Sequence, residues 1–154
     1  MTRTLAGCWV AALALVLTSA TGAESGRQRV AVVARGSNPT SFVLTPLSPG
    51  PAKRDSGTTY YCCVYTHSTT RDGQTVEIAN FLKTYEGKRG TLTLRIVVEW
   101  TDAGNGYTIG SGIWKIAKGT KAYANLQGNG RLAVVAETGS LNDVTWRAVG
   151  YVHR

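Results

Sequence analysis

Residues 90–101 read Gly-Thr-Leu-Thr-Leu-Arg-Ile-Val-Val-Glu-Trp-Thr, and their alternation decides the fold class. On an extended chain Leu92, Leu94, Ile96, Val98 and Trp100 fall on one face. Thr91, Thr93, Arg95, Val97 and Glu99 fall on the other. A helix would bring apolar residues round every third or fourth position, so this stretch is a strand. The first set is the expected core face and the second the wetter one. Asp102-Ala103-Gly104-Asn105-Gly106 follows as a hairpin turn, Asn-Gly supplying the positive φ angles such turns need.

Working outward, β-branched and aromatic residues come in short runs broken by Gly, Asn, Asp and Pro. Upstream strands are expected at Arg29 to Ala34, Ser41 to Leu47, Thr58 to Thr66 and Val76 to Tyr85. Ser48 to Gly57, rich in proline and glycine, is expected to be a loop and a candidate mobile rim. Downstream strands are expected at Tyr107 to Ala117, Arg131 to Glu137 and Asn142 to His153. Gly110 and Gly112 suggest a bulge or a sharp corner, and residues 120–126 one helical turn capped by Thr120. The total is eight strands joined mostly by short turns. The fold class is therefore all-β, a single antiparallel eight-stranded β-barrel, a size at which a sheet closes around side chains or one small ligand.

Residues 110–130 carry a more specific pattern, G-x-W-x-I-x-x-G-T-x-A-Y-A-x-L-x-G-x-G. It resembles the closure signature of the allene oxide cyclase and dirigent-like barrels, and their bacterial secreted members in particular. Gly87-Lys88-Arg89-Gly90, a turn feeding the long strand, fits the same half of that barrel. The resemblance implies a mostly apolar cavity with a few polar groups at one mouth. Lys121 stands where relatives often carry a further glycine. No catalytic residue of the family transfers to this chain. The Gly112-Ile113-Trp114 match to lipocalins and avidin-like barrels fails by length, because those carry it on the first strand.

The N-terminus bears on compartment. Arg3 lies ahead of the apolar core Trp9 to Leu17, and Thr18 to Ala23 offers small residues for cleavage after Ala20 or Ala23. Residues 1–23 are thus an expected signal peptide, 24–28 a polar leader and 29–154 one domain. Nine apolar residues are too few for a spanning helix, so no stable membrane anchor is expected. Leu5-Ala6-Gly7-Cys8 spells a lipobox, but its apolar core follows the cysteine instead of preceding it. The expected location is extracellular or periplasmic.

The net charge is +8, yet its densest group is only Lys115, Lys118 and Lys121, and no nucleic-acid motif accompanies it. A solvated face is the better reading. Past residue 23 the cysteines are Cys62 and Cys63, adjacent and pointing to opposite faces of an ideal strand. One is expected buried and the other outward, free or bridging a homo-oligomer.

Candidate site residues follow from position. Asp55, in the longest loop, is either a mouth residue or an Asx turn. Glu99, sharing a face with Arg95, is either luminal or an exterior pair. Asn80 interrupts the apolar face Val76, Ile78, Leu82, and orients a ligand if that face is luminal. Tyr61, Cys63, Tyr65 and His67 share a face of the third strand and line a cavity or simply pack. His67 and His153 are too few for a metal site, and no cofactor motif is present. The function expected is a secreted, non-enzymatic binder of a small apolar or amphipathic ligand, or an interaction module. The alternative is a cyclase- or isomerase-like enzyme using the barrel cavity.

Overall fold

The computed structural model describes residues 26–36, 40–138 and 144–154. The expected signal peptide lies outside them. The strands are β1 (Gln28–Arg35), β2 (Thr40–Pro46), β3 (Asp55–Arg71) and β4 (Gln74–Gly87). Then come β5 (Gly90–Gly104), β6 (Tyr107–Gly119), β7 (Gln127–Glu137) and β8 (Val144–His153). Each pairs antiparallel with the next, and β8 returns to β1, so one sheet closes into a barrel. Closure removes the edges that an open sheet would leave unpaired.

On β5 the alternation holds: Leu92, Leu94, Ile96 and Val98 are buried, and Trp100 packs against the same core. The β4–β5 turn then fixes which face of β4 is inward. Gly87 pairs with Gly90, Tyr85 with Leu92, Lys83 with Leu94 and Phe81 with Ile96, so the odd residues join the core face. Facing side chains from β1, β2, β7 and β8 complete it, among them Val32, Leu44, Val134 and Ala148. Each large aliphatic chain so buried stabilises the fold by roughly 1.5–3 kcal/mol.

The barrel has two unlike ends. At the floor lie the starts of β1, β3, β5 and β7, the β2–β3 loop, and a single 3₁₀ turn at Lys121–Tyr123. Thr120 does not cap that turn with its side chain; its hydroxyl accepts the amide of Thr91 instead. Lys121 sits at φ 50°, the left-handed conformation a glycine adopts without strain. The β2–β3 loop is not a free rim. The Gln28 amide donates to the Ser48 and Ala52 carbonyls and accepts the Ala52 amide, which pins the loop across the floor. Gln28 is therefore a buried residue of β1 rather than part of a polar leader.

The bulge suggested at Gly110 and Gly112 lies elsewhere. Register shifts between β5 and β6 fall at Thr93/Leu94 and Asp102/Gly104, leaving Ala117 and Ala103 as the extra residues. Gly110 instead makes room: a Cβ there would meet Val98 at 2.8 Å and the Trp100 ring at 3.0 Å. Gly130 and Gly150 face each other across β7 and β8 beneath Trp114, whose ring occupies the space that two Cβ atoms would take. The Trp114 indole N–H donates to the Arg131 carbonyl at 3.2 Å.

At the mouth, β3 and β4 run on past their neighbours. β2 pairs with β3 only from Asp55 to Thr59, so beyond Thr59 β3 pairs, among the described residues, with β4 alone. The seam between β2 and β3 therefore opens towards this end.

Candidate functional site

A cavity of about 560 Å³ occupies the mouth. Its wall includes Tyr61, Val64 and Thr66 from β3, Phe81 and Lys83 from β4, Trp100 from β5 and Trp146 from β8. The rings form one chain of edge contacts. Tyr61 lies 6.2 Å from Phe81, Phe81 5.7 Å from Trp146, and Trp146 6.0 Å from Trp100, centroid to centroid. Edge-to-face pairing is the geometry that ring quadrupoles favour.

Lys83 enters this aromatic wall. Its side chain is 1% exposed, and its Nζ lies 4.7 Å from the Trp146 ring centre and 5.8 Å from that of Tyr61. No hydrogen bond or ion pair to Lys83 occurs among the described residues. Burial disfavours the charged form and pushes its pKa down to about 8. Glu77 and Glu137 line the cavity as well, but both are exposed residues at its rim. One pleat deeper, on the face that Tyr61 shares, the Thr59 hydroxyl is buried without a partner among the described residues.

Of the residues singled out from sequence, Tyr61 reaches the cavity and the others do not. Asn80 lies between Ala79 and Phe81, both in the cavity wall, so it points to the outer face, as do Ile78 and Leu82. The luminal face of β4 is the one carrying Ala79, Phe81, Lys83 and Tyr85. Glu99 is also outward, and its two oxygens accept the Arg71 Nη1 at 2.9 Å each. With Arg71 60% exposed, that pair contributes at most about 1 kcal/mol.

Tyr65 is separated from Tyr61 by a bulge. Cys62 pairs with Leu82 but Tyr65 with Asn80, so two residues on β3 oppose one on β4. Cys63 takes φ 61°, in the left-handed region, and the alternation of faces inverts there. Val64 and Thr66 consequently face the cavity, and Tyr65 faces away, 67% exposed. The same bulge overturns the expectation for the cysteines. Both are exposed and free, and their Sγ atoms converge to 2.7 Å instead of pointing apart. The Cys63 contact pushes the Cys62 thiol pKa up.

Asp55 belongs to the floor, at the far end from the cavity. Its buried carboxylate accepts the Tyr123 hydroxyl at 2.7 Å and the amides of Ser56, Lys88 and Arg89 at 2.9, 3.1 and 3.1 Å. Burial alone would raise its pKa. The hydrogen bond from Tyr123 and those from the three amides outweigh that and hold it below the ordinary value. Tyr123 responds in the opposite sense: burial and the neighbouring carboxylate push its pKa well up. This is a structural knot, close to the turn-forming role.

Chemically, the mouth offers an apolar slot with one amine near its base and carboxylates at its lip. It can hold a ring or short chain and meet one polar end with a donor. Among the described residues no group of three or more His, Cys, Asp or Glu side chains could hold a metal. Comparison with protein-family models, with curated proteins and with solved structures finds no match.

Proposed function

We propose that the protein is an exported, non-enzymatic barrel that binds a small apolar or amphipathic molecule in its mouth cavity. The carrying observation is a 560 Å³ space walled by Tyr61, Phe81, Trp100 and Trp146, with the unpaired amine of Lys83 inside it. Small-molecule sites are typically concave, apolar and furnished with few polar groups, and this one has that make-up. A ligand ending in a hydrogen-bond acceptor would give the Lys83 ammonium the partner that the fold withholds. The charge-order signature at residues 3–23 supports export, and residues 110–130 support kinship with the allene oxide cyclase and dirigent-like barrels.

Titration with hydrocinnamic acid and hydrocinnamyl alcohol, read by tryptophan fluorescence and thermal shift, tests the reading. Binding should quench emission from Trp100 and Trp146 and raise the melting temperature. Absence of both effects with either probe sinks it. A cyclase- or isomerase-like activity on the same cavity is the second reading, favoured by an amine and two carboxylates lining one cavity. It requires turnover of a bound substrate, which a carrier does not show.

A further inference from the structure

We infer that Lys83 is a nucleophile that captures an apolar aldehyde or ketone as an imine at the base of the mouth cavity. This inference rests on the ligand-binding reading and narrows it to carbonyl compounds. Its ground is placement. An amine 1% exposed, with no hydrogen bond or ion pair among the described residues, lines a cavity whose wall includes Tyr61, Val64 and Thr66, the stretch of β3 beyond its pairing with β2. Tyr61 and Trp146 flank the amine, so an entering chain or ring is guided by apolar surface until its polar end meets Nζ. The other lysines, Lys53, Lys88, Lys115, Lys118 and Lys121, are all exposed and share none of this setting.

The step balances without a co-reactant. The ammonium first yields one proton to water at the mouth. The nitrogen lone pair then attacks the carbonyl carbon, a C–N bond forms, and the C=O π pair moves to oxygen, which takes that proton. A second proton passes from nitrogen to the hydroxyl, the C–O bond breaks, and water leaves. As water leaves, the nitrogen lone pair closes the C=N bond and the product is the iminium, which keeps one N–H, so one ammonium and one carbonyl give one iminium and one water. Desolvation assists at the outset. With a pKa held down at about 8, roughly a tenth of the amine is unprotonated at pH 7, far more than for a solvated lysine. The product also suits the site, because a delocalised cation between aromatic faces keeps the cation–π contacts of the ammonium.

The test uses the folded protein with hydrocinnamaldehyde and sodium cyanoborohydride, which fixes an imine as a stable secondary amine. Peptide mapping should place the adduct on Lys83, formed at least ten times faster than on any exposed lysine. Excess hydrocinnamyl alcohol should suppress it. The rate should climb with pH and level off above about pH 8, and the other titratable side chains lining the cavity are Tyr61, Glu77 and Glu137. Lys83→Met should lose the fast adduct while its near-ultraviolet circular dichroism stays that of the parent, which separates loss of the amine from loss of the fold. Lys83→Arg, which keeps the charge, should lose the adduct too. Adducts spread evenly over the exposed lysines, or unchanged in both variants, overturn the inference. Alcohol binding without a Lys83 adduct leaves a carrier with no covalent step, whereas no binding of any probe removes the ligand reading itself.

Discussion

At the floor, Asp55 gathers donors from four residues; at the mouth, Lys83 meets two aromatic faces and, among the described residues, no acceptor. Both are buried charges, each carried on the strand that leads away from its end of the barrel. The floor's charge is fully hydrogen-bonded, which lowers the carboxylate pKa and ties β3, the β4–β5 turn and the 3₁₀ turn together. The mouth's charge is left unpaired, which lowers the amine pKa and costs stability. A fold that satisfies one buried charge and not the other concentrates its stability at one end and its chemistry at the other.

The largest effect should come from breaking the floor. Asp55→Ala strands the Tyr123 hydroxyl and three amides, and should cost about 4 kcal/mol in chemical denaturation. Tyr123→Phe removes one charge-assisted bond and should cost about 2 kcal/mol. A loss in Asp55→Ala no greater than in Tyr123→Phe would mean that the amides find water and the knot is looser than its geometry. Asp55 also sets an acid limb. Its folded pKa lies below the ordinary carboxylate value of 3.8, so its stabilisation is present above that pH and fades as pH falls through the lower folded value. Asp55→Ala should flatten that limb in a pH series of melting temperatures.

Breaking the mouth should have the opposite sign. The Lys83 pKa falls from 10.5 to about 8, a displacement that at about 1.4 kcal/mol per unit amounts to roughly 3 kcal/mol. Between those values the unfolded chain holds more protons than the folded one, so stability rises with pH from about 8 to 10.5. Lys83→Met should therefore be up to about 3 kcal/mol more stable at pH 7. The advantage should shrink across that window and vanish above it. A variant less stable than the parent at pH 7 would show that the contacts with Trp146 and Tyr61 outweigh the desolvation cost.

The two ends also differed in how far the sequence disclosed them. The β5 face was legible because only one of its two faces is continuously apolar. β4 was not, since Ile78 and Leu82 on one face look as good as Phe81 and Tyr85 on the other. The register through Gly87-Lys88-Arg89-Gly90 to Leu92 would have chosen between them, and would have exposed Lys83 between two inward aromatics. Asn80 was misplaced for the same reason. Tyr65 was misplaced for another: a one-residue bulge at Cys63 leaves no compositional mark, and every face beyond it inverts. Asp55 was visible as a polar loop residue, but its partner Tyr123 lies 68 positions away.

The smallest predictions concern Lys121 at the floor and Cys63 at the mouth, two residues held at positive φ without the short polar side chain that tolerates it. Replacement of either by glycine relieves the left-handed strain of about 1–2 kcal/mol and adds unfolded-state entropy of somewhat smaller size. Each substitution should therefore stabilise by less than about 1 kcal/mol. Their consequences for the cavity should differ. Lys121→Gly should leave probe binding untouched, because the floor is remote from the aromatic wall. Cys63→Gly loosens the residue that turns Val64 and Thr66 inward, so hydrocinnamyl alcohol should bind a few-fold more weakly although the fold is no less stable. Unchanged affinity in Cys63→Gly would show that pairing with β4, rather than the backbone of Cys63, holds the inverted faces of β3 in place.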